Sequence, residues 1–472
     1  MDISEILPRE CRPGRTIYDY HENQLLTCLK LTGKESVYIL KSILKNLTDL
    51  KDVSIALQDI GNGYTFLGAA CCTGRYDLVE EVINHVTEIR QMRDDIEANR
   101  VLYVPRQSVL DIYDDHGYTP LLYSIICDHL DICKLLIQAD VDVNLQQQMN
   151  KQTPLLTAIE NSKDDIVTLL LENLANVQIC DNVGLTPLYM AIKNSKENIV
   201  KQLIQADCDV DVGSQDHAPI FLATRTGQLN IVKLLCAAGC QKDISNKYGV
   251  TPVYEASMKG HTDILKYLLD NECSPNSVDM YDQSPLHVAV LWNHLHCVQL
   301  LVEAGANWKL RNHHRESALD LALQKGRADI VKYFLEEGLD VLPRNSTSGL
   351  KNLSTIFENG HSSTLTILLQ GCAKLPMLHC IGMIPMFSDQ LYMMKLLLLS
   401  GIQTVPAKLM SPDTHQCKET SDWLIDFKAN PRRLQDICRI RIRRCLGNKV
   451  FFKVKSLPLP VELKSFICLK KL

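Results

Sequence analysis

Apolar residues recur through the middle of the chain in one repeating frame, marked by proline. Pro120, Pro154, Pro187, Pro219, Pro252 and Pro285 stand 34, 33, 32, 33 and 33 residues apart, and Ala318 follows 33 residues later in the same frame. With the proline as position zero, position one is always aliphatic, from Leu121 to Leu319. Position four is small: Ser124, then Ala158, Ala191, Ala223, Ala256, Ala289 and Ala322. Position eight is Asp128, Ser162, Ser195, Gly227, Gly260, Asn293 or Gly326. Position twelve is Ile in six units and Cys297 in the other, and position sixteen is Leu136, Leu170, Leu203, Leu235, Leu268, Leu301 and Phe334.

Each column has a physical meaning. Proline at the first helical turn sacrifices no hydrogen bond, so Thr-Pro predicts a helix start. A small residue at position four lets neighbouring helices approach. Gly, Asn, Ser or Asp at position eight suits the turn that ends the first helix. Positions twelve and sixteen then share one face of a second helix. Neither helix can bury its apolar stripe alone, but stacked copies can, so the pattern predicts an array.

Seven units from about residue 114 to 341 keep this frame. A degenerate unit precedes them at Gly63-Tyr64-Thr65-Phe66, with Ala70, Gly74, Leu78 and Val82 in register. The 54 residues from Phe66 to Pro120 predict an insertion over 84–108, polar enough to be an exposed or helical excursion. A weaker unit is expected over Asn23–Leu47. After Leu342 the pattern decays, although 349–373 and 377–403 keep a paired-helix rhythm without Thr-Pro, as end units of an array do. The expected organisation is an N-terminal segment (1–60), repeats (61–341), degenerate capping repeats (342–410) and a separate C-terminal module (422–472).

That module has its own pattern. Asn430 suits a helix cap and Pro431 the first turn. Leu434, Cys438 and Ile442 recur every four residues, with Ile437 and Leu446 beside them, and Gly447 is a stop. The other faces carry Arg432, Arg433, Arg439, Arg441, Arg443 and Arg444. Periodicity alone is equally served by an amphipathic helix that caps the last repeat.

Composition narrows the class. At 472 residues the chain exceeds one ordinary compact core, and the repeat frame favours a solenoid. The net charge is −5, but residues 431–472 hold 12 Lys/Arg against Asp436 and Glu462, so this segment is +10 and the remainder −15. The 18 cysteines form no C-x-x-C or zinc-ligand spacing, and several fall on apolar frame positions, where a thiol acts as a small hydrophobe. This usage points to a reducing compartment, the cytoplasm with the nucleus as a second site. No signal-peptide pattern opens the chain, and no apolar run is long enough for a bilayer. Phosphate-loop and dinucleotide fingerprints are missing, and His294/His296/Cys297 and His313/His314 are explained by the frame better than by a metal. No cofactor, catalytic residue or metal site is expected.

The strings "GYTPLLYSI", "GLTPLYMAI", "GVTPVYEAS" and "SPLHVAV" resemble the ankyrin repeat. Leu434-x-x-x-Cys438-x-x-x-Ile442 followed by Leu457-Pro458-Leu459-Pro460 resembles the SOCS box, and the whole chain resembles the ankyrin-repeat and SOCS-box family from about residue 60 onward. The resemblance implies an all-α fold: an ankyrin-repeat solenoid of helix–turn–helix units with short β-hairpin fingers, then a small helical SOCS box. It implies that Leu434, Ile437, Cys438, Ile442 and Leu446 bind elongin C, which carries elongin B. Leu457, Pro458, Leu459 and Pro460 would dock cullin five with its RING subunit. The intervening segment 448–456 departs from the pattern with Phe451-Phe452, for which packing is the only account.

The resemblance also implies a non-catalytic substrate receptor of a ubiquitin ligase, with an unknown target protein bound by finger tips and first helices. The first finger is acidic (Asp111, Asp114, Asp115), the next amide-rich (Gln146, Gln147, Gln148, Asn150), and the last aromatic and basic (Trp308, Lys309, Arg311, His313, His314, Arg315). Position seven carries Trp292. The expected substrate groove is therefore centred on Trp292, Tyr281, Trp308, Arg311, His313 and His314. Two other classes stay open from residues alone: an ankyrin scaffold or inhibitor whose tail only caps the stack, and nucleic-acid binding by the basic tail. The apolar stripe of the tail helix argues against nucleic acid, and no membrane partner is expected.

Overall fold

The structure is a computed structural model. It describes residues 17–31, 34–45, 63–97, 109–212, 218–338 and 361–371, together with Leu47, Val53, Leu57, Ile356 and Asn359. The chain divides into two compact units, Met1–Lys242 and Asp243–Leu472. Among the described residues all regular structure is helical.

In the first unit the helices pair as α1 (Ile17–Lys30) with α2 (Lys34–Leu44), then α3 (Phe66–Cys72) with α4 (Tyr76–Glu97). Four in-frame pairs follow: α5 (Pro120–Ile126) and α6 (Leu130–Gln138), α7 (Pro154–Glu160) and α8 (Asp164–Glu172), α9 (Pro187–Lys193) and α10 (Glu197–Gln205), α11 (Pro219–Arg225) and α12 (Leu229–Ala237). The second unit holds α13 (Pro252–Lys259) and α14 (Thr262–Asp270), α15 (Pro285–Leu291) and α16 (Leu295–Glu303), α17 (Ala318–Gln324) and α18 (Ala328–Glu336), and then α19 (Ser362–Gly371).

The first helices start as the frame predicts. Thr119, Thr153, Thr186 and Thr251 each accept a bond from the backbone N–H three residues on, satisfying a donor the helix cannot. Ser284 and Ser317 form full capping boxes with His287 and Asp320. Ala218 alone among these seven positions has no side chain to cap with. Position eight takes the left-handed conformation in all seven units, with φ between 56° and 76° from Asp128 to Gly326. Such a φ is strained for a side chain, which is why only Gly, Asn, Asp and Ser occur there. The frame residues at twelve and sixteen are buried throughout, Cys297 among them, and so is Cys133 at position thirteen.

Repeats are also stapled to their neighbours by polar side chains on either side of the turn. In the first unit His129 donates to the Cys72 carbonyl (3.3 Å), Asn194 to Ile159 (3.1 Å) and Gln228 to Ile192 (3.0 Å). In the second, His294 donates to Met258 (3.2 Å), Arg327 to Leu291 (2.8 Å) and His361 to Gln324 (3.1 Å). Each bond reaches a carbonyl near the end of the preceding repeat's first helix, where the helix leaves its last acceptors short of intrahelical partners.

The described part of the degenerate N-terminal region is helical. Arg75 donates to the carbonyls of Cys28, Leu29 and Leu31 and to the Ser36 hydroxyl, and it pairs with Asp77 at 2.8 Å. One guanidinium thus ties the end of α1 and the start of α2 to the first frame repeat. The expected insertion begins as helix, since α4 runs unbroken to Glu97. Most of 342–410 and all of 422–472 lie outside the described residues.

Candidate protein-binding surface

Among the described residues the fingers are tight turns rather than strands. Most begin with a side chain that folds back on its own backbone. Asp114 accepts from the N–H groups of His116 and Tyr118 (3.0 and 2.9 Å), Asp181 from Val183 and Leu185 (2.9 and 2.8 Å), Asn246 from Tyr248 and Val250 (2.9 and 3.1 Å), and Asp279 from Tyr281 and Gln283 (2.9 and 2.8 Å). Where the spacing lengthens to 34 residues, Gln147 takes this role, and its longer side chain reaches the N–H groups of Met149 and Asn150.

This scaffolding changes the meaning of two fingers. Asp111 and Asp114 are buried, and so is Gln147. Asp111 accepts from the Asp142 N–H at 3.2 Å, and burial pushes its carboxyl up to about 6. Asp114 also takes the hydroxyl proton of buried Tyr123 as a hydrogen bond. Of the first acidic trio only Asp115 is exposed. The acidic and amide-rich character legible in these fingers is therefore largely internal structure.

Neighbouring fingers bond at their tips. In the second unit Met280 N–H donates to the Tyr248 carbonyl at 2.8 Å, and His313 N–H to the Tyr281 carbonyl at 2.9 Å. Tyr248, Tyr281 and His314 consequently occupy equivalent places on three successive fingers, with Met280 and His313 beside them. Tyr281 and Met280, adjacent in sequence, are 55% and 59% exposed. The rings of His313 and His314 are 5.6 Å apart, edge to face.

The other expected groove residues fall into distinct settings. Trp308 stands at the foot of the last finger, half-exposed, with the Lys309 ammonium 5.2 Å from its ring centre. Arg311 braces its own finger, donating to the Arg315 carbonyl at 2.6 Å and pairing with Asp320 at 3.4 Å. Arg315 itself takes a left-handed φ of 60° at the tip, where Gly249 stands in an earlier finger. Trp292 is 58% exposed and caps the far end of α15. Seven helical residues, about 10 Å, separate it from the finger that carries Tyr281. The structure thus brings Tyr281, His313 and His314 together and leaves Trp292 at the other end of the same first helix.

Sequence reasoning missed Tyr248 and Met280. The signal was there, because the residue four before the frame position runs His116, Asn150, Val183, Gln215, Tyr248, Tyr281 and His314, with aromatic rings gathering at the end. No metal-ligating cluster of three His, Cys, Asp or Glu occurs among the described residues, and His294 and Cys297 are absorbed by the repeat staple and the core. No described helix is long and apolar enough to cross a membrane.

Comparison with known proteins agrees with this architecture. The family model described as ankyrin repeats (3 copies) matches residues 34–147, 139–216, 209–279 and 276–345. The SOCS box model matches residues 430–468. The chain belongs to the ankyrin-repeat and SOCS-box family. That architecture is the one of an adaptor that serves as a cullin–RING substrate receptor, and a SOCS box implies binding to elongin B/C and a cullin in general. Among solved structures, the ankyrin repeat domain of human ASB11 matches at 26% identity and TM-score 0.40, covering 50% of this chain and 98% of that one. The ankyrin repeat domain of Bcl-3, a member of the IkappaB family, matches at 23% identity and TM-score 0.42, covering 46% and 100%. No curated protein sequence matches the chain.

Proposed function

We propose that this protein is the substrate-recognition subunit of an elongin B/C–cullin–RING ubiquitin ligase of the cullin-five type. The observation that carries the reading is the coexistence in one chain of ankyrin repeats and a SOCS box whose string runs Leu434, Cys438, Ile442 and then Leu457-Pro458-Leu459-Pro460. Leu434, Ile437, Cys438, Ile442 and Leu446 contact elongin C in this reading, and the Leu-Pro-Leu-Pro segment selects cullin five. These residues, and the basic stretch around them, lie outside the described residues.

The target protein docks on the ankyrin repeats at Tyr281, His313, His314 and Trp308, with Trp292 as a separate anchor and Arg311 holding the last finger in shape. The chemistry is proximity. A target lysine held near the charged ubiquitin enzyme sees a raised effective concentration, and no bond to this chain forms or breaks. The assembly works in the cytoplasm and the nucleus. Reconstitution with elongin B/C tests the reading: ubiquitin transfer to bound proteins is expected with cullin five and its RING subunit, and to fall sharply with cullin two in its place. Equal transfer with both scaffolds would remove the cullin assignment.

A further inference from the structure

Among the described thiols, Cys236 and Cys240 bond within one repeat, whereas Cys72 and Cys127 meet across two. Cys72 ends α3 and Cys127 caps α5, and their sulfurs lie 3.3 Å apart across the boundary between two successive repeats. The packing around them is close. Gly68 lacks a side chain where the Tyr123 ring fits, its Cβ position only 3.2 Å from that ring. The Cys127 N–H bonds the Tyr123 carbonyl at 3.0 Å, and the His129 ring bonds the Cys72 carbonyl. The approach of the two sulfurs is therefore set by helix packing. A disulfide requires about 2 Å between sulfurs, a closure of little more than a carbon radius from here.

The thiols are unequal. Cys72 is buried, whereas Cys127 is half-buried at the turn between helices. The hydrogen bond from Cys72, aided by the Lys163 ammonium, holds the Cys127 thiol below its ordinary value, and the same bond and burial push Cys72 up. Lys163 is itself paired with Asp128 at 2.9 Å. Cys71 and Cys133, the adjacent core thiols, are both pushed up by burial, Cys133 to about 11. A half-buried thiol of depressed pKa beside a second thiol is the arrangement of a reactive and a resolving cysteine.

We infer that Cys127 is a modification site for peroxide, and that Cys72 resolves the oxidised residue into a Cys72–Cys127 disulfide. In the first step the Cys127 thiolate attacks one oxygen of hydrogen peroxide. The S–O bond forms, the O–O bond breaks, and the departing hydroxide takes a proton to become water. In the second, the Cys72 sulfur attacks the sulfenic sulfur, the S–S bond forms as the S–O bond breaks, and the leaving hydroxide takes the Cys72 proton. Two thiols and one peroxide give one disulfide and two waters, the two electrons passing from the sulfurs to the peroxide bond. The product clamps the first helices of two repeats that lie 55 residues apart in sequence.

The full chain, reduced and then exposed to hydrogen peroxide at neutral pH, is digested without reductant and its linked peptides are identified by mass spectrometry. A Cys72–Cys127 peptide is expected as the main product. It persists in Cys133→Ser and is lost in Cys72→Ala, where Cys127 is instead trapped by dimedone as the sulfenic acid. Iodoacetamide should modify Cys127 with a half-maximal rate at lower pH than Cys133 in the wild type, a midpoint that moves up in Cys72→Ala. A folded wild-type chain in which peroxide links no Cys72–Cys127 peptide, or in which Cys127 alkylates no faster than Cys133, would overturn the inference.

Discussion

The backbone N–H of His313 donates to the carbonyl of Tyr281 at 2.9 Å, so two neighbouring fingers hold each other at their tips. The bond uses only main-chain atoms. It leaves the Tyr281 and His313 side chains exposed for contact while fixing where they stand.

Tyr281→Ala and Trp292→Ala should therefore separate binding from folding. Each removes an exposed ring, and surface changes of this kind shift stability by no more than about 0.5 kcal/mol. An aromatic anchor of an interface costs about 2 kcal/mol of affinity when truncated. Quantitative mass spectrometry of proteins co-purified with each variant should show one set of targets depleted with elongin B/C recovery unchanged. Wild-type recovery of every co-purified protein from both variants would place the target surface elsewhere.

His287 makes stability depend on pH. Its ring is buried within the capping box, accepting from the Ser284 N–H at Nδ1 and donating from Nε2 to the Glu316 carbonyl. Burial holds its pKa below the ordinary 6.5. The folded state keeps the ring neutral while the unfolded chain takes up a proton near 6.5, so the contribution is complete above that pH and declines below it. His287→Gln, which still completes a capping box, should flatten the fall in chemical-denaturation midpoint between pH 7.5 and 5. An unchanged slope would show that other groups carry the acid sensitivity.

Ala218 is the weak cap of the array. The equivalent residues Thr119, Thr153, Thr186 and Thr251 all bond a backbone N–H, and Ala218 does not, although its backbone is already extended at φ −61° and ψ 153°. Ala218→Thr should raise unfolding free energy by about 1 kcal/mol in a urea titration.

Gly260 is needed twice over. Its φ is +76°, and a Cβ there would lie 2.6 Å from the His294 ring that staples the repeat to Met258. Gly305 has a similar φ of +83° with open space around it. Both alanine variants should lose about 1–2 kcal/mol from the backbone alone, and Gly260→Ala should lose more because His294 must give up its bond. Equal losses would mean the staple contributes nothing.

The repeat frame was legible because its columns are dictated locally: a proline for the helix start, a left-handed turn at position eight, and apolar residues four apart. Three features escaped. The polar staples His129, His294 and Arg327 act on carbonyls a full repeat away, and nothing in their local sequence names that partner. Asp114 and Gln147 looked like charged and polar tip residues, yet their side chains are consumed by the turn. Trp292 and Tyr281 looked like one groove in a list of exposed rings, and a seven-residue helix sets them apart. Arg75 shows the limit from the other side: a single guanidinium organises an N-terminal helix pair whose repeat pattern is almost erased.

The most direct test of the adaptor account is co-purification of the chain with elongin B/C, comparing wild type with a Leu434→Ala, Cys438→Ala double variant. A stoichiometric ternary complex with wild type, lost in the double variant while the repeats still unfold cooperatively, is the predicted result. Wild-type chain that purifies as a soluble protein without elongin B/C would contradict it and leave an ankyrin scaffold whose tail only caps the stack.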